Sequence, residues 1–373
     1  MKILAIDTSC DETAAAVTED TKVLSNIIWS QASAHAKFGG VMPSLAQRMH
    51  EERIDWVVKK AIKSSKLKMQ NLDAIAVTIG PGLSIALGVG IDRAKKLASK
   101  YNKPLIPVNH VEAHLLSPYA ESGRSNLESG ATQKPKFQIP NSKFPKLGLV
   151  VSGGNTVFVL IEKIGRYKIL AETQDDALGE ALDKGARMLG LGYPGGAILE
   201  KMAKLGDLKK FSLPIPLVGQ EKRQIFSYSG LKTSFYRLTQ QKPPKAKKNI
   251  YDLAATYQDV AFRHIERVVS YIIQNSKYQI RNFLLGGGVA ANVELKKRLR
   301  KLGKKYGFKV HVPYSKKLYG DNAAMIVNLE FGILNLDGDN VRDNPFNMFK
   351  GNVLISCGEV INILFGLWRI CLD

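Results

Sequence analysis

The stretch KILAIDTSCDETAAAVT, residues 2–18, is echoed in outline by LGLVVSGGNTVFVLI, residues 147–161. In each, an apolar run ends in a polar turn and a second apolar run comes after it. Two such runs about a tight polar tip read as a β-hairpin. The first hairpin would carry Ser9, Cys10, Asp11 and Glu12 at its tip, and the second Ser152, Gly153, Gly154, Asn155 and Thr156. The two units begin about 145 residues apart, and their similarity beyond this pattern is slight. Hairpins are common, but a duplicated architecture accounts for both.

Beyond these hairpins, apolar runs and helical patterns alternate. Residues 42–64 and 83–101 have helical periodicity, and residues 74–79 and 105–108 read as buried strands, with Gly80-Pro81-Gly82 as a turn. Residues 120–146 are rich in Ser, Gly, Pro and Lys and read as a surface loop between two halves. In the second half, residues 176–189, 196–205 and 251–274 read as helices, and residues 240–248 as a linker. A strand at 283–285 leads through Gly286-Gly287-Gly288 into a helix at 290–302, followed by a strand at 309–312 and a helix at 322–334. This alternation argues an α/β fold. The expected organisation is an N-terminal lobe at 1–119, regaining a helix near 322–334, and a second lobe at 147–335 with a helical insertion near 176–260. A tail at 336–373 is left unassigned. Its apolar segment 353–372 is interrupted by Glu359, Asn362 and Arg369, which favours a packed helix or attached tail over a membrane span.

A chain of 373 residues with 45% hydrophobic and 23% charged residues is an ordinary globular one, long enough for two cores. Its three cysteines exclude a disulfide scaffold and fit a reducing compartment. Asp7 interrupts the N-terminal apolar run too early for a signal peptide, so a cytoplasmic protein is expected. The 54 Lys and Arg against 33 Asp and Glu give a net charge of +21. That excess suits a polyanion such as RNA; a lysine-rich solvated coat is the plainer alternative.

His110 and His114 are two of only six histidines. On a helix they stand at i and i+4, about 6 Å apart, close enough to share a metal ion. Two packed histidines are the competing reading. A zincin peptidase is disfavoured, because its glutamate directly follows the first histidine; Glu112 would point about 200° away from the pair. The three turns, at residues 7–13, 152–156 and 286–292, each come after an apolar run. These turns are Gly-rich or hydroxyl-rich, and glycine lets backbone N–H groups approach a phosphate, so three of them after strands suggest a nucleotide between two halves, although a single glycine turn is usually only a turn. None matches a Walker A or dinucleotide fingerprint. Asp183 and Glu200, near the Gly195-Gly196 turn, suit ribose hydroxyls, or are solvated helix charges.

Taken together, these residues resemble the tRNA N6-adenosine threonylcarbamoyltransferase family (TsaD), formerly called the O-sialoglycoprotein endopeptidase family. The resemblance is carried by residues 7–13, HAKFGGVMPSLAQRMHEER (35–53), GPGLSIALGVG (80–90), NHVEAH (109–114), VVSGGNT (150–156), DDALGEALDKGARMLGLGYPGG (175–196), FSYSGLKT (226–233), residues 286–292 and DNAAM (321–325). They keep the family's order and span about residues 2–332. The resemblance implies an actin/sugar-kinase/heat-shock-ATPase (ASKHA) fold, two similar α/β domains around a nucleotide cleft. It implies transfer of the threonylcarbamoyl group from threonylcarbamoyl-AMP to N6 of the adenosine 3′ of the anticodon, in tRNAs reading ANN codons.

By the same resemblance, His110, His114 and Asp321 would hold one divalent metal ion, iron or else zinc. Val150, Val151, Ser152, Gly153 and Gly154 would cradle the acyl-phosphate, Asp183, Gly196 and Glu200 the ribose, and Asn292 would lie near the adenine. Asp11 would stand near the reacting group as the candidate catalytic residue. Implied partners are tRNA, a paralogous TsaB-like subunit and a TsaE-like P-loop ATPase. The chain departs from the family in carrying Asn155 where histidine is frequent, in a long 120–146 segment, and in its tail. The rival reading is another ASKHA-fold carbamoyltransferase or an ATP-dependent kinase.

Overall fold

A computed structural model describes residues 1–123, 144–241 and 247–329 of the chain. The opening hairpin forms as read. β1 (Lys2–Asp7) pairs antiparallel with β2 (Glu12–Glu19). Sequence reading missed the third strand of this meander, β3 (Lys22–Ser30), in which Ser25 and Asn26 interrupt the apolar run. After the short α1 (Ala32–Ala36), α2 (Pro43–Ser65) opens on a proline at its first position and closes at Lys66 in the left-handed conformation. β4 (Ala74–Gly80), α3 (Ser84–Tyr101), β5 (Leu105–Asn109) and α4 (His110–Leu116) come next, and β6 (Glu121–Ser122) completes a sheet of order β5-β4-β1-β2-β3-β6.

The second sheet repeats this plan. β7 (Lys146–Val151), β8 (Thr156–Lys163) and β9 (Arg166–Thr173) form an antiparallel meander. α5 (Leu178–Met188), α6 (Gly196–Ala203), the two-residue β10 (Ile225–Phe226), α7 (Ser229–Gln241) and α8 (Lys247–Gln274) intervene before β11 (Asn282–Gly286) joins β7 in parallel. α9 (Val293–Tyr306) and β12 (Lys309–His311) close the order β10-β9-β8-β7-β11-β12. Strand for strand, β1-β2-β3-β4-β5 and β7-β8-β9-β11-β12 share order and direction. The duplication suggested by two hairpins is a duplication of whole sheets.

Strand alternation assigns the faces. Leu4 and Ile6 of β1 pack with Ile54, Val57 and Leu97 of α2 and α3. Ile3 and Ala5 point the other way, into a cluster with Val111 and Leu115 of α4, Val150 and Leu284 of the second sheet, and Ala323 to Ile326. α4 and the segment after Asp321 are thus packed between the two sheets.

Several expectations are corrected. The helix expected at 290–302 begins only at Val293, because Gly288–Ala291 forms a 3₁₀ turn and Asn292 caps the α-helix beyond it. α8 begins at Lys247, inside the expected 240–248 linker, and α7 runs to Gln241; residues 242–246 lie outside the described residues. Of the helix expected at 322–334, Ala323–Leu329 is 3₁₀ and residues 330–334 lie outside the described residues. The described ends of the 120–146 segment are strand: Glu121–Ser122 pairs with β3, and Lys146 opens β7. Residues 124–143 and the tail at 336–373 lie outside the described residues. Among the described residues, no helix is long and apolar enough to cross a membrane.

One buried histidine makes this core acid-sensitive. His264 of α8 lies edge-on to Phe226 and Tyr228, and its Nε2 accepts a hydrogen bond from the Ser227 N–H at 3.1 Å. Burial, against the opposing charge of Asp175, pushes it down to about 4. A group held neutral in the fold, with an unfolded value near 6.5, contributes stability present above that value and lost as pH falls towards 4. The loss amounts to about 3 kcal/mol. Thermal melts between pH 7 and pH 4 are expected to show this fall, and His264→Gln, which accepts the same bond without titrating, to shrink it.

Candidate active site

The helix α4 starts where it does because Asn109 caps it, its Oδ1 accepting from the N–H groups of Val111 and Glu112 at 2.9 and 3.1 Å. One turn of helix then sets His110 beside His114, with ring centroids 4.6 Å apart. Asp321 comes up to both from beyond the 3₁₀ turn at Lys316–Leu318. Its Oδ1 lies 3.1 Å from His114 Nε2 and 3.6 Å from His110 Nε2. One donor atom from each of the three residues falls within 4.8 Å of the others. Of the two sequence readings of H-x-x-x-H, the shared ion is one that this geometry could hold. Two imidazoles and a carboxylate form a set that iron and zinc both accept.

Sequence reading missed Asp7 as part of this site. Its carboxylate is fully buried behind His110, with Oδ2 at 3.4 Å from His110 Nδ1. The Thr78 hydroxyl donates to Oδ2 at 2.5 Å, and the Ser9 N–H and hydroxyl donate to Oδ1 at 3.0 and 2.7 Å. Burial alone would raise this carboxyl. His110 and the hydroxyl and amide donors outweigh it and hold Asp7 down at about 2. Burial likewise pulls His110 down, but the charge of Asp321 and the contact with Asp7 carry it up to about 9. His114 is lowered, by burial first. Asp321, which burial would raise, is lowered chiefly by His110 and by the His114 hydrogen bond. An anion behind one ligand orients the ring and strengthens it as a donor. Glu112 turns the other way and accepts a hydrogen bond from the Tyr167 hydroxyl, as the helix geometry predicted.

The other wall is built on the second sheet. Val150 and Val151 are buried strand residues whose side chains belong to the core. The turn beyond them is closed by the Ser152 N–H donating to the Asn155 carbonyl at 2.8 Å and the Asn155 N–H donating to Ser152 Oγ at 3.0 Å. These bonds use the backbone of residue 155, so the turn does not depend on its side chain being histidine. Gly153 and Gly154 are exposed, with open space where a side chain would be, and their N–H groups take no protein partner among the described residues. Gly179 of α5 abuts the same turn; a Cβ there would lie 2.5 Å from the Ser152 carbonyl oxygen.

Asp183 Oδ1 accepts from the Gly195 and Gly196 N–H groups at 2.9 and 2.7 Å, which fixes the start of α6. Its carboxyl is raised, chiefly by burial, and the charge of Asp11 adds to this. Glu200 Oε1 accepts from the Val293 N–H at 3.0 Å and pairs with Lys204 at 3.0 Å. Asn292 is buried; its Oδ1 caps α9 and its Nδ2 donates to Gln258 Oε1 at 2.9 Å. Its side chain is therefore already engaged in placing α9 beside Glu200. Asp11, in the turn between β1 and β2, is near enough to Asp183 and Tyr193 for its charge to act on both. It makes contact with the Glu12 carboxyl, which burial and then the charges of Asp321 and Asp11 push up to about 10. Tyr193 is raised by burial and by both Asp11 and Asp183. Glu12 and Tyr193 were also missed, since neither has a distinguishing spacing.

Gly286 and Gly287 hold the walls together. A Cβ on Gly286 would collide with the His114 carbonyl, and one on Gly287, at φ +91°, with the Val151 carbonyl. The end of β11 thus touches both the helix of the histidines and the strand feeding the Ser152 turn.

Two sheets of one strand order and direction define the ASKHA fold class. The solved structure of full-length HypF in its phosphate- and nucleotide-bound form superposes with a TM-score of 0.54 at 14% identity, covering 91% of this chain and 56% of HypF, a likeness of fold. The family model for tRNA N6-adenosine threonylcarbamoyltransferase, TsaD, matches residues 22–327. A curated relative of that name from Bartonella tribocorum is 41% identical over 341 residues, with 87% of this chain and 88% of the relative covered. One from Pelagibacter ubique is 38% identical over 352 residues, with 92% of each covered. The chain belongs to the TsaD family.

Replacing Asp7 by Asn keeps the shape and the hydroxyl contact but removes the charge behind His110. Zinc affinity measured by competition with a chromophoric chelator is expected to fall about 10–100-fold. An unchanged affinity would mean that Asp7 does not support the cluster.

Proposed function

We propose that the chain transfers the threonylcarbamoyl group from threonylcarbamoyl-AMP to N6 of the adenosine 3′ of the anticodon in tRNAs reading ANN codons, releasing AMP. The observation that carries this reading is the presence of the His110–His114–Asp321 cluster and the open Gly153–Gly154 turn together in a chain of this family. An ion held by His110, His114 and Asp321, iron by preference and zinc by the same donor set, would supply Lewis acidity towards the acyl-phosphate end.

The chain's own residues do the rest. The Gly153 and Gly154 N–H groups donate to the acyl-phosphate oxygens, on which charge grows as the carbonyl–phosphate bond breaks. The free oxygens of Asp183 and Glu200 accept from the ribose hydroxyls, while their other oxygens stay on the protein. Asn292 acts by seating α9 beside Glu200. Asp11 accepts a hydrogen bond from the incoming N6 amino group and aims its lone pair at the carbonyl carbon, since adenine's amine is a poor nucleophile and orientation is the chief help available. The adenosine must leave its stack to reach the cleft.

The same reading divides the chain into lobes at 1–119 and 147–335, with the segment after Asp321 returning to the first. It assigns as partners tRNA, a TsaB-like paralogue and a TsaE-like P-loop ATPase, and places the work in the cytoplasm, where tRNA is.

The test is transfer from threonylcarbamoyl-AMP to an unmodified transcript reading an ANN codon, with partner proteins from the same source and mass spectrometry of the nucleosides. Wild type is expected to yield N6-threonylcarbamoyladenosine, and His110→Ala and Asp321→Asn to lose about 100-fold or more of the rate. Product that survives both substitutions would keep the transferase and remove the ion from it. Absence of product beside an active family enzyme, with ATP turned over instead, would favour an ATP-dependent ASKHA enzyme.

A further inference from the structure

One side of α9 collects cations that the fold leaves unneutralised. Residues 293, 296, 297, 300, 301 and 304 recur at helical spacing, on the side away from the buried Leu295, Leu299 and Leu302. Lys297, Arg300, Lys301 and Lys304 are exposed. Arg300, Lys301 and Lys304 have no carboxylate within ion-pair distance among the described residues. Lys297 has only Glu294 at 3.8 Å, a carboxylate that bonds Arg298 more closely, at 2.9 Å. Arg298, on the inner side of the same helix, shows the contrast: it meets Asp259 at 2.6 Å, Glu266 at 3.1 Å and Glu294. The helix thus sorts its charges, with its one acid and two from α8 spent on Arg298 and the cations left outward. A merely solvated face mixes both signs, as α2 does with Glu51, Glu52, Arg53, Asp55, Lys59 and Lys60.

The surroundings reinforce the stripe. Lys316 and Lys317 are exposed beside it, and Lys296 is lowered by burial and then by the nearby charges of Arg300 and Lys316. Lys296 itself rests 5.0 Å from the Tyr319 ring centre, and Tyr314 is 50% exposed in the strand-to-turn segment before Lys316. The stripe also has a defined origin. It starts at Val293, whose N–H bonds Glu200, next to the Asn292 cap, and runs outward for about 16 Å. It therefore begins at the nucleotide wall of the cleft.

We propose that this face, Lys297, Arg300, Lys301 and Lys304 with Lys316 and Lys317 beside it, is the docking surface for the phosphate backbone of the tRNA whose adenosine enters the cleft. The assignment rests on the tRNA substrate of the function proposed above. Phosphates along one strand meet a row of exposed cations, and Tyr314 offers a ring to an unstacked base.

The test compares Lys297→Ala/Lys301→Ala/Lys304→Ala with an equally discharged control on α3, Lys95→Ala/Lys96→Ala/Lys100→Ala, in the full chain. Alanine preserves the helix in both. Binding of a fluorescent unmodified tRNA transcript is titrated between about 50 and 200 mM salt. The α9 triple variant is expected to bind roughly tenfold more weakly, with the slope of log K against log salt reduced by about three. In the transfer assay its KM for tRNA rises while kcat and the melting temperature stay at wild-type values. The α3 variant is expected to match wild type. Wild-type affinity and slope in the α9 variant, beside a wild type that binds and modifies tRNA, overturn the docking surface alone. Equal losses in both variants also overturn it, since only net charge would then matter. A wild type that binds no tRNA overturns the tRNA reading and the surface with it.

Discussion

The site depends on a carboxylate that is never exposed to solvent. Asp7 ends the first strand, and an isolated charge at its depth would cost several kcal/mol. It is held there by the Ser9 amide and hydroxyl from its own turn, by Thr78 from β4 and by His110 from α4. Those partners come from three separate elements, so satisfying one charge fixes the end of β1, the end of β4 and the first turn of α4 relative to one another. The His110–His114–Asp321 cluster inherits its geometry from that constraint. His110 is aimed by Asp7, and His114 stands one helical turn later.

The second constraint is close backbone packing. The absence of a side chain at Gly286 and Gly287 lets β11 lie against both the His114 carbonyl and the Val151 carbonyl. Each sheet builds its own wall, and this contact sets the spacing between them. Such contacts leave little freedom for adjustment, because packed backbone has no rotamers to yield. Across the gap, electrostatics links what packing cannot. Asp11 and Glu12 of the first hairpin act by charge on Tyr193, and Asp11 on Asp183 of α5, although they come from different halves of the chain. The helix that starts beside Glu200 meanwhile carries its cations outward.

Much of the architecture could be read from sequence because the relevant signals are local. Apolar runs around the Ser9–Glu12 and Ser152–Asn155 tips predicted hairpins, and the spacing of His110 and His114 placed both on one helical face. The missed strands β3 and β9 have one wet face, so polar residues break their apolar pattern. The start of α9 was misplaced because Ala290 and Ala291 suit a helix, whereas Asn292 caps one that begins after them. β6 and β10 are two residues long and exist only through pairing with a distant strand.

The two hairpins, most of the helices, the i and i+4 histidines and the family were legible in the amino-acid order alone, since each is a matter of residue type at short range or of motifs in succession. Three relations emerge only in the folded chain. Asp321, 207 positions after His114 and named beforehand only by the family resemblance, comes to 3.1 Å of it; Asp7 stands behind His110; and Arg298 meets Asp259 and Glu266 while Arg300 and Lys301 meet no carboxylate among the described residues. Those are relations between residues far apart in the chain. They arise from burial and charge pairing across packed surfaces, which no local pattern encodes.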